Sequence, residues 1–244
     1  MSERVAIITG GAKGIGRAIG EDLASRGWSI AFCYRTSADA AKSLTATIEQ
    51  HGSRGLGLQC DVSDPEQCRT LVERVVSEWG RVDALIHAAG PYHRVPILEE
   101  THEGWHEMFD HNLHPVFYLA QLVAPHMIEQ RFGRILTFSM ANADRMVAQP
   151  FVTGHYIAKS ALLILTRTLA KELAPHQITV NAISPGFVDS GSAPSEELAH
   201  MASKIPAGYI GELKDAVSAA RFLLSDEARY VNGANLHLSG GWGI

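Results

Sequence analysis

The chain is poor in cysteine and aromatics and has no long apolar run. Its three cysteines, Cys33, Cys60 and Cys68, include no Cys-x-x-Cys pair. They suit neither a disulfide framework nor a zinc knuckle, and a reducing, cytoplasmic compartment is expected. No apolar stretch approaches the roughly 20 residues that span a bilayer. The opening residues run straight into a strand pattern, without a basic leader and a long apolar segment, so no signal peptide is expected. Basic excess is also missing. The 21 Lys and Arg against 26 Asp and Glu leave a formal charge of −5, which argues against a nucleic-acid or anionic-membrane surface. No Pro/Ser/Gly-rich linker divides the 244 residues, of which 46% are apolar and 19% charged. That is globular composition. One domain is expected, long enough to bury about 70–75% of its unfolded surface.

What is present is a repeat: a short β-branched run, a turn, then an amphipathic stretch. Strands are expected at Arg4–Thr9, Ser29–Tyr34, Gly55–Cys60, Val82–His87, Arg134–Ser139, Ile178–Ile183 and Ala234–Leu238. One helix begins near Gly14 and stops at Gly27, a C-terminal glycine. Another follows Ser63-Asp64-Pro65, where Asp or Ser caps and Pro suits the first turn. A third runs from about Gly154 to Ala174, with Ile157, Ala161, Ile164, Leu165 and Thr168 on one face. Alternating strands and helices predict a single α/β domain with a doubly wound parallel sheet. The least patterned stretch, Asp189–Gly211, is where a substrate lid would sit.

Thr9-Gly10-Gly11-Ala12-Lys13-Gly14-Ile15-Gly16 follows the first strand and opens the first helix. Glycines there permit a tight turn and close approach of backbone to a pyrophosphate, and the helix N-terminus adds free N–H groups. After the second strand, an NAD-selective site wants an Asp or Glu for the ribose 2′-hydroxyl. The chain offers Arg35 and Thr36 instead, with Lys13 nearby in the glycine loop. Two cations and a hydroxyl suit a 2′-phosphate, so NADP(H) is the expected cofactor.

Taken with the motifs that follow, the chain resembles the short-chain dehydrogenases/reductases along essentially its whole length. The glycine loop resembles that family's TGxxxGxG. Asp61-Val62 resembles its adenine-facing pair, and His87-Ala88-Ala89-Gly90 its NNAG with His for the first Asn. Asn112 matches the asparagine of the catalytic tetrad. Pro185-Gly186-Phe187-Val188-Asp189-Ser190 resembles PGxxxT, with Ser190 for the threonine that holds the nicotinamide carboxamide, and Gly240-Gly241-Trp242 matches the C-terminal ending. Within the family the pattern is similar to bacterial 3-oxoacyl-acyl-carrier-protein reductases. The resemblance implies a seven-stranded Rossmann fold, a small-molecule or carrier-bound carbonyl substrate, and a homodimer or homotetramer.

The active-site text departs from the family. Ala158-Lys159-Ser160-Ala161-Leu162 identifies Lys159 as the family lysine, which would also hold the nicotinamide ribose. Four residues earlier, where the family has its acid/base tyrosine, stands His155; Tyr156 is only three back. The catalytic serine position holds Met140, and Ser139, one position early, should point to the opposite face of its strand. An insertion is expected within Asn142–Val152. Three readings stay open. His155 is the acid/base, helped by an imidazole's titration near 6.5. Alternatively, Tyr156 reaches the cleft through a non-helical start of its helix. In the third, the protein binds NADP(H) silently, as a partner or redox sensor. A pteridine reductase-like activity is a close variant of the first two. His102, His106, His111 and His114 lack converging partners, so no metal site is expected; the neighbouring Glu103, Glu107 and Asp110 read as a solvated helix face. His87 reads as a structural donor. Tyr92, His93 and Trp105 are candidates for the substrate mouth.

Overall fold

A computed structural model of the chain describes residues 4–189 and 200–244. In chain order the first half of the sheet supplies β1 (Val5–Thr9), β2 (Ser29–Tyr34), β3 (Gly55–Gln59) and β4 (Ala84–His87). The second half supplies β5 (Gly133–Phe138) and β6 (Ile178–Pro185). Two short strands, β7 (Val188–Asp189) and β8 (Gly211–Glu212), pair with each other, and β9 (Asn235–Leu238) closes the sheet. The order β3-β2-β1-β4-β5-β6-β9 is parallel at every junction. All seven expected strands are therefore in one sheet, which is the expected Rossmann-type architecture.

Parallel strands need crossover helices, and these cover both faces. The helices are α1 (Gly14–Ser25), α2 (Ala38–Gln50), α3 (Pro65–Trp79), α4 (His102–Asn112), α5 (His114–Gln130), α6 (Thr153–Leu173) and α7 (Leu213–Leu224). Alternate strand residues feed two cores. Val5, Ile7 and Ala31 pack with Leu71 and Val72 of α3 and Leu119, Val123 and Met127 of α5. Ala6, Ile8, Ile30 and Phe32 pack with Ile19 and Leu23 of α1, Leu44 and Ile48 of α2 and Leu223 of α7. Each such aliphatic side chain contributes about 1.5–3 kcal/mol on full burial. Asp64 caps α3 by accepting the amides of Glu66 and Gln67.

As expected, Ile157, Ala161, Ile164, Leu165 and Thr168 share a face of α6, and it is the outer one: Ile157 is 41% and Ile164 67% exposed. The inner face carries His155, Ala158, Lys159, Leu162, Leu163 and Thr166. Polar residues sit on the buried side of this helix because it forms one wall of the cleft. Large aliphatic residues therefore lie on both sides of it, Leu162 and Leu163 inside and Ile157 and Ile164 outside. With the exposed Phe117 of α5 the outer ones leave a shallow apolar surface across α5 and α6.

Past the carboxyl edge of the sheet, the loops after β4 and β5 run together. The Val95 amide donates to the Phe151 carbonyl at 2.8 Å, and the Ile97 amide to Pro150 at 2.9 Å. The loop after β5 thus holds the mouth segment that carries Tyr92 and His93.

Candidate functional site

A cavity of about 320 Å³ opens at the ends of β1 to β4. Its walls gather Gly10, Ala12 and Lys13 from the glycine loop, and Arg35 and Thr36 from the turn after β2. Asp61 and Val62 enter after β3, and Ala88, Ala89 and Gly90 after β4. Gly14, Ile15 and Gly16 form the first turn of α1 and do not line it. Gly10 has φ 63°, and a Cβ there would come within 2.8 Å of the Ala89 backbone. Only glycine leaves the β1 turn and the β4 turn this close.

His87 ties these turns together. The Ala89 amide donates to Thr9 Oγ1 at 3.2 Å, and Thr9 Oγ1 lies 2.9 Å from His87 Nδ1. His87 Nε2 lies 3.2 Å from the backbone carbonyl of His111. A carbonyl only accepts, so Nε2 carries the proton and Nδ1 accepts from the threonine hydroxyl. Burial, and then Lys159, lower the His87 pKa from the usual 6.5 to about 3, so the ring is neutral. Every polar atom of the ring is engaged, leaving it nothing to donate to a substrate.

Asn112, at the end of α4, is fully buried. Its amide donates to the Pro91 carbonyl at 3.2 Å, while its Oδ1 has no partner. A Cβ on Gly90 would collide with that oxygen, and Gly90 has φ 153°. The glycine is what allows the amide to lie against the turn after β4.

On α6, Lys159 is 6% exposed and donates its ammonium to the Phe138 carbonyl at 2.6 Å. Burial lowers its pKa from 10.5 to about 8. Ser139 donates its hydroxyl to the backbone carbonyl of Lys159 at 2.9 Å, so it braces the helix. Met140 packs against Ala143, Tyr156, Leu163 and Ala182. The Tyr156 hydroxyl donates to the Asn142 carbonyl at 2.8 Å and accepts the Val147 amide at 3.0 Å. His155 is 9% exposed, and its Nδ1 is buried without a partner. Tyr92 stands edge-on to its ring with centroids 5.2 Å apart. Burial first, then Lys159 and His93, lower the His155 pKa from 6.5 to about 3. His93 in turn lies 2.6 Å from Glu100 Oε2, and Trp105 packs on Phe109 at 5.2 Å.

At the far end, Pro185 pairs with Leu238, and the Gly186 amide donates to the Leu238 carbonyl at 2.9 Å. Val188 pairs with Gly211. Ser190 and residues 190–199 of the expected lid lie outside the described residues. The end of that segment is anchored: Ile205 is buried, and the Ala207 amide donates to the Gly240 carbonyl at 2.9 Å. Phe187 packs against Trp242 with centroids 4.7 Å apart.

Sequence reasoning missed His111. Its position among Glu107, Asp110 and His114 reads as a solvated helix face, yet its ring lines the cavity. The only signal was its place one residue before Asn112, which already pointed at the cleft. Glu100, the partner of His93, was also missed.

Comparisons with known proteins agree along the whole chain. A family profile described as enoyl-(acyl carrier protein) reductase matches residues 10–243. The 3-oxoacyl-[acyl-carrier-protein] reductase FabG of Haemophilus influenzae is 34% identical over 244 residues, spanning 99% of this chain and 98% of its own. A solved mutant short-chain dehydrogenase/reductase of Serratia marcescens superposes with a TM-score of 0.92 at 31% identity, covering 99% of this chain and 98% of its own. A blue fluorescent protein from a metagenomic library, solved in complex with NADPH, superposes at 0.90 with 32% identity, covering 99% and 98%.

Proposed function

Because this chain belongs to the short-chain dehydrogenase/reductase family of oxidoreductases, we propose that it is an NADPH-dependent reductase of a carbonyl substrate, a 3-oxoacyl thioester or related ketone, in which His155 stands at the position of the family tyrosine and donates the hydrogen bond to the carbonyl oxygen. One observation carries the choice of residue. The Tyr156 hydroxyl is engaged on both sides, whereas His155 Nδ1 is buried one helical turn before Lys159 with no partner.

The cavity suits the adenosine end of the dinucleotide. Gly10 lets backbone approach a pyrophosphate, and Lys13, Arg35 and Thr36 surround the place for a 2′-phosphate. Asp61 and Val62 form the adenine seat. Lys159 would hold the nicotinamide ribose, and Pro185, Gly186 and Val188 would line the carboxamide side. Bound NADPH supplies a hydride to the carbonyl carbon. The neutral His155 ring donates a hydrogen bond to the carbonyl oxygen and stabilises the charge that develops there. With a pKa near 3 the ring stores no proton at neutral pH. Lys159, with a pKa near 8, does, and serves as the proton source for the alkoxide. Met140 offers the oxygen no hydrogen bond, so His155 carries more of this work than the family tyrosine does. The protein acts in the cytoplasm as a homodimer or homotetramer, with second copies meeting on the apolar surface of α5 and α6.

A second reading has its own support. The thioether of Met140 and the depressed His155 favour an NADP(H) binder without turnover. The test is NADPH oxidation, followed by absorbance, with 3-oxoacyl and enoyl thioesters, cyclic ketones, quinones and dihydropterins. Turnover that survives Tyr156→Phe and is lost in His155→Phe supports the first reading. Tight NADPH binding without turnover on any of them supports the second. Equal affinity for NADPH and NADH refutes the cofactor assignment in both.

A further inference from the structure

We infer that His111 is a positioning residue for Arg35: with Nε2 bare, its ring pins the Arg35 guanidinium over the adenosine end of the cavity and so sharpens the preference for a 2′-phosphorylated nucleotide. The inference rests on the NADP(H) reading above and adds a residue which that reading does not use.

His111 Nδ1 lies 3.2 Å from the Glu107 carbonyl, so Nδ1 must carry a proton in the neutral ring. Nε2 is then a bare acceptor. Two groups compete for it. Arg35 Nη1 stands 3.2 Å away, and Asp61 Oδ1 stands 3.1 Å away. A guanidinium only donates and a carboxylate only accepts. The neutral ring can therefore bond Arg35 but not Asp61, and the protonated ring Asp61 but not Arg35. One proton on Nε2 decides which.

Asp61 does not need the histidine. Its Oδ1 already accepts the Ser63 amide at 3.0 Å and the Ser63 hydroxyl at 2.8 Å. Arg35 is half-exposed; its charged neighbours are Glu107, at 3.8 Å, and Asp61, whose carboxyl it helps to hold below the usual range. The remaining titratable group against His111 is His87 of β4, which is neutral and bonds the His111 backbone carbonyl. The charged groups facing the ring are thus Arg35 after β2, Asp61 after β3 and Glu107 on its own helix. Pinning a long side chain in advance removes much of the ordering cost when it meets a phosphate. A proton on Nε2 turns the ring to Asp61, repels the guanidinium and leaves Arg35 to the carboxylates of Glu107 and Asp61.

The experiment measures Kd for NADPH and NADH by fluorescence at a series of pH values on both sides of neutrality. Wild type, His111→Gln, His111→Leu and Arg35→Leu are compared. Gln keeps an acceptor near the Nε2 position but cannot be protonated; Leu keeps bulk alone. The wild-type preference for NADPH should fall on acidification. His111→Gln should retain the preference and lose that part of its pH dependence, leaving only the titration of the 2′-phosphate itself, near pH 6. His111→Leu should lose about tenfold of the preference, as for one charge-assisted hydrogen bond, and Arg35→Leu at least as much. A preference that rises on acidification would mean that protonated His111 meets the phosphate itself, and would overturn the inference. So would identical pH profiles for wild type and His111→Gln. If wild type shows no preference at any pH, it is the cofactor reading that fails.

Discussion

The Tyr156 phenol donates its proton to the Asn142 carbonyl at 2.8 Å. That bond folds the start of the loop after β5 back onto α6, and the Val147 amide closes the other side of the same hydroxyl. The tyrosine nearest the family position is thus a fastener for the loop. Tyr156→Phe should cost about 1 kcal/mol of stability, the ordinary worth of such a bond, and leave kcat within about twofold. His155→Phe should do the reverse, lowering kcat by at least about 100-fold, as for a lost hydrogen-bond donor to the developing oxyanion. Thermal melts and steady-state kinetics on the two variants separate these roles. Comparable kcat losses in both would refute the assignment.

Acid should unfold the protein early. His87 and His155 each have a pKa lowered from 6.5 to about 3 in the folded chain. Both are neutral when folded and protonate on unfolding below about 6.5. The unfolded state therefore binds more protons between about pH 6.5 and about pH 3. Their contribution is fully present above that window and is lost as pH falls through it. Two protons give a slope of up to about 3 kcal/mol per pH unit. His87→Asn should remove close to half of it, as read from denaturant midpoints between pH 4.5 and pH 7. An unchanged slope would mean that His87 is protonated in the fold.

Lys159 should work against the fold at neutral pH. Its folded pKa near 8 lies below the usual 10.5, so the stability linked to this shift appears only as pH rises from about 8 toward 10.5. At pH 7 the buried ammonium is carried at a cost, offset in part by its bond to Phe138. Lys159→Met should melt no lower than wild type at pH 7 while binding NADPH more weakly. The stability difference should shift in favour of wild type as the buffer approaches pH 10. A variant markedly less stable at pH 7 would show that the ammonium bond outweighs the desolvation.

The outer face of α6 makes a prediction about assembly. Ile164 is 67% and Phe117 51% exposed, on neighbouring helices. If copies meet there, Ile164→Glu should lower the mass measured by light scattering without lowering the melting temperature of the protomer by more than a few degrees. An unchanged mass would place the self-association elsewhere.

The strands were legible because β-branched runs between turn residues have few alternatives. The glycine loop, Lys159 and the residues that follow β2 and β3 were legible because short-range spacing decides them. Other features depended on distant contacts. The direction of the α6 face that carries Ile164 was not legible, because apolar residues lie on both sides of the helix and the cleft positions are His155 and Lys159. The fate of Tyr156 depended on how residues 142–147 fold back, which no local pattern encodes. His111 looked solvated because its partners, Arg35 and Asp61, lie 76 and 50 residues away.

The run from the Ala89 amide through Thr9 and His87 to the His111 carbonyl joins the floor of the nucleotide cleft to the helix that ends in Asn112. A displacement of α4 must strain these bonds, and so must a displacement of the turn after β1. Where occupancy at one end of the cleft displaces either element, the other end feels it as a change in affinity. Thermodynamic reciprocity fixes the size of that effect: the factor by which substrate shifts nucleotide binding is the factor by which nucleotide shifts substrate binding.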